Sequence, residues 1–417
     1  MKKTLRSSWL IFSFTSYFIL LASYAWFSYS LTTPNLILSN WEPYWRWQLW
    51  MWQAFFNNRD LLVKVYFSLI MLLFANYGLI IKFTRQLKAK WQYSWLVVFL
   101  LIISPLICSY NALSHDVFNY IFNAKMVWIY QANPHVKVAL DYVHIDDWVR
   151  FMHNIHTPAP YWYGWTALSL LPYILGFNKF LPTWIIFRLF SVLSVGLLFA
   201  ALQYLAHQQK KSLSLWQLSL VFFNPLFLIE IISNSHNDLW MLVPAMFSLA
   251  LVVPKQKTQL KTSQLLLSGL LMAFSISTKY ATAVLLPIWL LLILNQQHWL
   301  TSIKQKLTTL INQFNKHWPL LASMLLFLPL LTARSQQFHP WYLSWSLVWL
   351  PLINNKTWRN TLLLFSFTSL LRYLPWLQTG EFDELILQQQ NLITWGIPVG
   401  YFSYQGLRQI MTIKKTP

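Results

Sequence analysis

Apolar runs of about 20 residues, the length a helix needs to cross a hydrocarbon core roughly 30 Å thick, recur from one end of this chain to the other. Such a chain offers too little polar surface to fold as a water-soluble globule, and its backbone groups must be satisfied within helices. Of its 417 residues 56% are hydrophobic and 10% charged, against roughly 25% charged in globular domains. The runs fall near residues 8–30, 61–82, 93–110, 181–206, 214–233, 237–254, 264–279, 281–296, 318–333, 340–354, 360–376 and 391–406. They predict an all-α polytopic membrane protein, a bundle of about 12 transmembrane helices. The 25 Trp and 20 Tyr suit aromatic belts at the two interfaces.

A formal charge of +20, from 31 Lys and Arg against 11 Asp and Glu, would point to nucleic acid in a soluble chain. Here the cations gather in short connectors: Lys2, Lys3 and Arg6; Lys82, Arg85, Lys88 and Lys90; Lys210 and Lys211; Lys255, Lys257 and Lys261; Lys304, Lys306 and Lys316; Lys356 and Arg359; Arg408, Lys414 and Lys415. Under the positive-inside rule all these clusters lie on the cytoplasmic side, with both termini, and no basic stripe is left for nucleic acid. The apolar run after Arg6 reaches about Ser30, too long for a signal-peptide core, and reads as a retained first span. The single Cys108 lies in an apolar run and reads as a small packing hydrophobe.

The opposite face then receives residues 31–60, 111–180, 234–236, 279–280, 334–339 and 377–390. Residues 164–177 are apolar enough to enter the bilayer, yet a full crossing there would put Lys210 and Lys211 outside, so they read as re-entrant or interfacial. No repeat or linker divides the chain. Residues 1–417 form one domain, with the long external loop 111–163 as its main elaboration.

Ionisable groups in or beside a membrane domain are costly, which makes the acids the key to function. They are Glu42, Asp60, Asp116, Asp141, Asp146, Asp147, Glu230, Asp238, Glu381, Asp383 and Glu384. Glu230 falls late in an apolar span, the others lie on the external side or its margin, and the cytoplasmic face has none. Carboxylate chemistry therefore belongs outside, away from nucleotides and their magnesium, and no glycine-rich phosphate loop occurs.

Asp116 opens a run to Tyr130 that could lie on the membrane surface as an amphipathic helix; it suits a base at the interface, the alternative being that Ser114 or Asp116 caps that helix. In Asn234-Ser-His-Asn-Asp238 the residue types equally suit capping of the next helix or, through His236, an anion site. Lys279 and Arg334 stand at external helix mouths against the charge bias, where they either hold a phosphate or anchor at headgroups. His144, His153 and His156 neighbour Asp141, Asp146 and Asp147 without any metal-ligand spacing, so no metal is expected. Ser114-His115-Asp116 is contiguous and cannot form a nucleophilic relay, because adjacent side chains do not face one another.

In order along residues 110–345, Ser114-His-Asp-Val-Phe-Asn-Tyr120, Asn133-Pro134 and Thr157-Pro-Ala-Pro-Tyr161 resemble the first external loop of the GT-C superfamily, membrane glycosyltransferases fed by polyprenyl-phosphate sugars. Asn224-Pro225 with His236-Asn-Asp238, Lys279 ahead of Pro287, and His339-Pro-Trp-Tyr342 resemble blocks of bacterial polyprenol-phosphate-mannose-dependent α-1,6-mannosyltransferases. The chain departs at Pro134-His135, where the motif continues with Pro-Tyr, and at Pro160-Tyr-Trp-Tyr-Gly-Trp165, which breaks up a Tyr-Gly-Pro signature.

The resemblance implies an inverting hexosyltransferase of the plasma membrane, the inner one in a bacterium. It would move a hexose, mannose by the closest motif, from a polyprenyl phosphate to a hydroxyl of an external envelope glycan or glycolipid. The lipid-linked sugar is a co-substrate, and no cofactor is implied. Asp116 would be the base; Lys279, Arg334 and His236 would hold the donor phosphate. His115, Tyr120, Tyr161, Tyr163, Asn237, Asp238, His339, Trp341 and Tyr342 would contact substrate, with Tyr161, Tyr163, Trp341 and Tyr342 as sugar-stacking faces. The competing expectation is a lipid-linked glycan flippase or secondary transporter, which nine glycines and the lopsided loop pattern disfavour.

Overall fold

The computed structural model describes residues 2–32, 35–87, 93–253, 260–296, 308–331 and 338–413, all of them helix or connector, with no strand among them. The α-helices are α1 (Lys2–Phe27), α2 (Glu42–Met51), α3 (Arg59–Leu87), α4 (Tyr93–Ile107), α5 (Asp116–Trp128), α6 (Tyr163–Leu175), α7 (Phe180–Gln208), α8 (Leu215–Phe222) and α9 (Pro225–Phe227). They continue as α10 (Asp238–Val252), α11 (Thr262–Thr278), α12 (Leu286–Gln296), α13 (Thr308–Phe327), α14 (Ser344–Leu347), α15 (Lys356–Leu371), α16 (Leu374–Thr379) and α17 (Glu384–Ile413). Among the described residues three stretches are long and apolar enough to cross a membrane: Ser7–Leu31, Arg59–Gln86 and Phe180–Gln208. A fourth, Leu215–Phe222 with Pro225–Ser233, qualifies if its 49° bend is taken within one span.

The remaining expected spans differ for physical reasons. Helix α10 has 15 residues, about 22 Å at 1.5 Å per residue, short of a bilayer core. It is buried on nearly every side and packs against α7 and α11, as a central core helix does. Residues 340–354, expected to span, instead form short buried pieces, Pro340–Leu343, Ser344–Leu347 and Leu350–Leu352, because Pro340 and Pro351 interrupt any long helix. The 281–296 span begins as a 3-10 turn, Tyr280–Leu285, before α12.

Three local features build the site. The Asn224-Pro225 step breaks the α8 run: proline cannot continue the hydrogen-bond ladder, and the Asn224 Oδ1 accepts from the Leu226 N–H at 3.0 Å to restart the helix. The restarted helix opens at once into a π turn, Leu228–Ser233, whose extra residue turns Glu230 into the interior. Ser235, at φ +59°, then reverses the chain into α10.

Helix α5 exists where expected, but it is packed into the protein and does not lie along a surface; Val117, Phe118, Tyr120, Ile121 and Phe122 are all buried. Its Lys125 pairs with Asp146 at 2.6 Å under the Trp148 ring, tying the following loop down. The stretch before α5 is held by Arg188 of α7. This wholly buried guanidinium donates to Leu106 O at 2.8 Å, Ser109 Oγ at 2.9 Å and Asn111 Oδ1 at 2.6 Å. Carbonyl, amide and hydroxyl oxygens thus hold the two terminal nitrogens of a cation within an apolar helix, while its Nε has no hydrogen-bond partner among the described residues. Helix α6, the 164–177 segment, packs against α5, α7 and α11.

Candidate active site

Asp116 is the first residue of α5, after His115 at the N-cap, and makes no capping bond with its own side chain. The start of the helix is met instead by Ser114, whose Oγ accepts from the Asp116 N–H at 3.3 Å. The Asp116 Oδ2 accepts from the Tyr161 hydroxyl at 2.7 Å and from Tyr120, one turn along α5, at 3.3 Å. The side chain is 22% exposed, and every polar contact it makes among the described residues falls on Oδ2, leaving Oδ1 open.

His236 lies behind it, completely buried. Its Nδ1 is 3.6 Å from Asp116 Oδ2 and its Nε2 is 3.3 Å from Glu230 Oε2. Neither contact meets strict hydrogen-bond geometry, but each ring nitrogen faces a carboxylate, so the imidazole acts on both through weak hydrogen bonding and charge. Glu230 is itself fixed by Asn234 Nδ2 at 2.9 Å and the Tyr373 hydroxyl at 3.0 Å. Burial lowers the His236 pKa, but the two carboxylates outweigh it and raise the group above its ordinary value of 6.5. For Asp116, burial pushes upward and is outweighed by His236, the Tyr161 hydroxyl and Lys279, which hold it well below the usual carboxylate range.

Lys279 closes α11, where its backbone leaves the helix as an extended residue. It is buried, which rules out headgroup anchoring, and its Nζ donates to Asp238 Oδ1 at 2.8 Å. The Trp345 indole N–H donates to the same oxygen at 2.6 Å. The ammonium also sits 4.6 Å from the Tyr161 ring centroid, linking it to Asp116 through that tyrosine.

Two cavities share a wall made by Asp116, His153, Asn154, His339 and Trp341. The larger, about 530 Å³, is lined by polar groups that include Asn119, Asn123, Thr157, Tyr161 and Lys279. The smaller, about 330 Å³, is lined by Leu31, Leu36, Phe56, Trp376 and Phe382, with Arg372 and Tyr373 among them. Trp341 is stacked between His236, at 3.9 Å, and His339, at 4.4 Å. His339 is pushed down to about 4 by burial.

The structure thus brings together Asp116, His115, Tyr120, Tyr161, His236, Asp238, Lys279, His339, Trp341 and Tyr342. His115 packs face to face on His153 at 4.1 Å and its Nδ1 meets Phe151 O at 3.1 Å. Tyr163 stands apart: it is exposed, packs at a tilt against His135 with ring centroids 4.2 Å apart, and lines neither cavity. Asn237 is buried at the N-cap of α10, away from both cavities. Arg334 lies outside the described residues. His236, expected at the donor phosphate, lines neither cavity; its charge is taken up by two carboxylates.

Sequence reasoning missed Arg372 and Tyr373 and left Glu230 without a role. Arg372 lies at the far end of α15 from Lys356 and Arg359, the same position against the charge bias that drew attention to Lys279.

Among the described residues the chain is helical, with apolar helices of membrane length, and the carboxylate of Asp116 is set in the wall between two cavities. Residues 21–295 match the family model described as alpha-(1->6)-mannopyranosyltransferase, N-terminal domain, of the MptA/MptB family. The chain belongs to that family and is a glycosyltransferase that uses mannose. Comparison with curated proteins and with solved structures finds no match.

Proposed function

We propose that the protein is a multi-pass, GT-C-like enzyme that transfers mannose, with inversion, from a polyprenyl phosphate to a hydroxyl of an envelope glycan or glycolipid on the external face of a bacterial plasma membrane. One observation carries this reading: Asp116 is the only carboxylate lining either cavity among the described residues, and its Oδ1 is free where the two cavities meet.

The acceptor hydroxyl would approach Oδ1 from one cavity while the anomeric carbon enters from the other. The bond between acceptor oxygen and anomeric carbon forms as the bond from that carbon to the phosphate oxygen breaks. The electron pair leaves on the prenyl phosphate, and the hydroxyl proton passes to Asp116. Attack opposite the leaving group turns a β-linked donor into an α product, through a transition state with oxocarbenium character. A carboxylate held at low pKa is ionised throughout the physiological range and accepts the proton late, when the attacking oxygen has become acidic. Tyr161, Tyr120 and His236 aim it; His236 serves as a positioning residue for the base. The charge growing on the leaving phosphate needs a cation in a poorly solvated wall, for which Lys279 and Arg334 are the sequence's candidates and Arg372 the structure's addition.

Transfer from radiolabelled polyprenyl-phosphate hexoses to envelope glycan extract, by purified wild type and Asp116→Asn, tests the reading. We expect mannose transfer by wild type and a loss of about a hundredfold or more in the folded variant. Full activity in Asp116→Asn would place the base elsewhere. Labelled lipid crossing a sealed vesicle without being consumed would replace the reading with a flippase.

A further inference from the structure

The two cavities differ in chemistry, and so do their cations. Lys279, in the larger one, is matched by Asp238 at 2.8 Å. Arg372, in the smaller one, is 4% exposed and has no carboxylate partner among the described residues. Its Nη1 donates to Asn391 Oδ1 at 2.9 Å and to Thr394 Oγ1 at 3.3 Å, which fixes the side chain between α15 and α17 without neutralising it. No other atom of the guanidinium makes a hydrogen bond with the described residues, so most of the fork is left to the cavity it lines. A buried, oriented and uncompensated guanidinium is matched by a phosphate, which it can grip in bidentate fashion. The surrounding wall of Leu31, Leu36, Phe56, Trp376 and Phe382 offers an isoprenoid chain apolar contact directly beside that phosphate. The larger cavity, although it too has apolar lining such as Trp162 and Val284, adds the amides of Asn119 and Asn123 and the hydroxyl of Thr157, chemistry suited to a glycan's hydroxyls.

We infer that the smaller cavity is the prenyl-phosphate site, with Arg372 binding the donor's phosphate and stabilising it as it leaves, and that the larger cavity, lined by Lys279, receives the acceptor. This rests on the mannosyl-transfer reading and assigns its two substrates to sides. Arg372, Trp376 and Phe382 lie beyond the matched family segment, so their part in the assignment comes from the structure.

The test uses a benzophenone-tagged farnesyl monophosphate with the full-length protein in nanodiscs. Photolabelling of wild type should mark peptides containing Phe56, Trp376 or Phe382, with unlabelled polyprenyl phosphate competing. Binding to Arg372→Gln should weaken about tenfold or more, the scale of a lost hydrogen bond to a charged group. Arg372→Lys, which keeps the charge and loses the fork, should fall between the two. Untagged farnesol should bind wild type and variants alike. Label on Tyr280 to Val284, or wild-type phosphate affinity in folded Arg372→Gln, would overturn the assignment while leaving mannosyl transfer intact. Should Arg372→Gln fail to fold, the label map and Arg372→Lys still decide. A wild type that neither binds the probe nor transfers mannose from the lipid would overturn both readings, which separates the two failures.

Discussion

The acidic and basic partners of Asp116 set its chemistry at the scale of single residues. The Asp116 pKa is depressed, so it contributes stability that is present above its ordinary pKa of 3.8 and is lost as pH falls through the folded value. His236 has the opposite sign: its contribution is complete below 6.5 and is lost as pH rises through a folded pKa above that. The transfer rate should therefore be flat across weakly acid pH and decline on an alkaline limb, as neutral His236 ceases to fix Asp116. Glu230→Gln removes one of the two carboxylates that hold the proton on His236, so the limb should move to lower pH. A limb that stays in place in that variant would sink the coupling, and a pH–rate profile of purified wild type and Glu230→Gln reads it directly.

Helices position this chemistry through close contacts that small residues permit. Gly164, near the start of α6, approaches α11 so closely that an added Cβ would lie 2.7 Å from the Ser277 carbonyl carbon. Backbone cannot yield as a flexible side-chain tip does, so Gly164→Ala should drive α6 from α11 at about 1–3 kcal/mol of stability. Tyr161, three residues earlier, would move with it and lengthen its 2.7 Å bond to Asp116. We expect a lower thermal midpoint together with reduced kcat. Unchanged stability would show that the contact is not tight in the folded protein. The π turn at Leu228–Ser233 works at the same scale, since its wider winding is what delivers Glu230 to His236.

Over the whole molecule, the basic connectors predict that the loop before α6 and the α7–α8 connector lie on opposite sides of the membrane. One cysteine in the chain makes this measurable. On a Cys108→Ser background, Ile145→Cys, 69% exposed, should react with a membrane-impermeant maleimide in intact cells. Gln209→Cys should react only after permeabilisation. Labelling of both from outside would overturn the orientation and with it the external site.

The sequence by itself determined the helical, membrane-type character, because apolar runs and scarce charge leave no other way to satisfy the backbone. It also singled out Asp116 and Lys279, since ionisable residues at such positions must have a reason to be there. Span number was less legible: hydropathy cannot distinguish a helix that faces lipid from one, such as α10, that is enclosed by its neighbours. Only tertiary structure decided what each charge meets. Lys279 finds Asp238 across 41 residues and Tyr373 finds Glu230 across 143, while Arg372 finds no acid among the described residues. Partner choice is set by how helices cross, and a linear pattern of residue types carries no record of those crossings until the chain is packed.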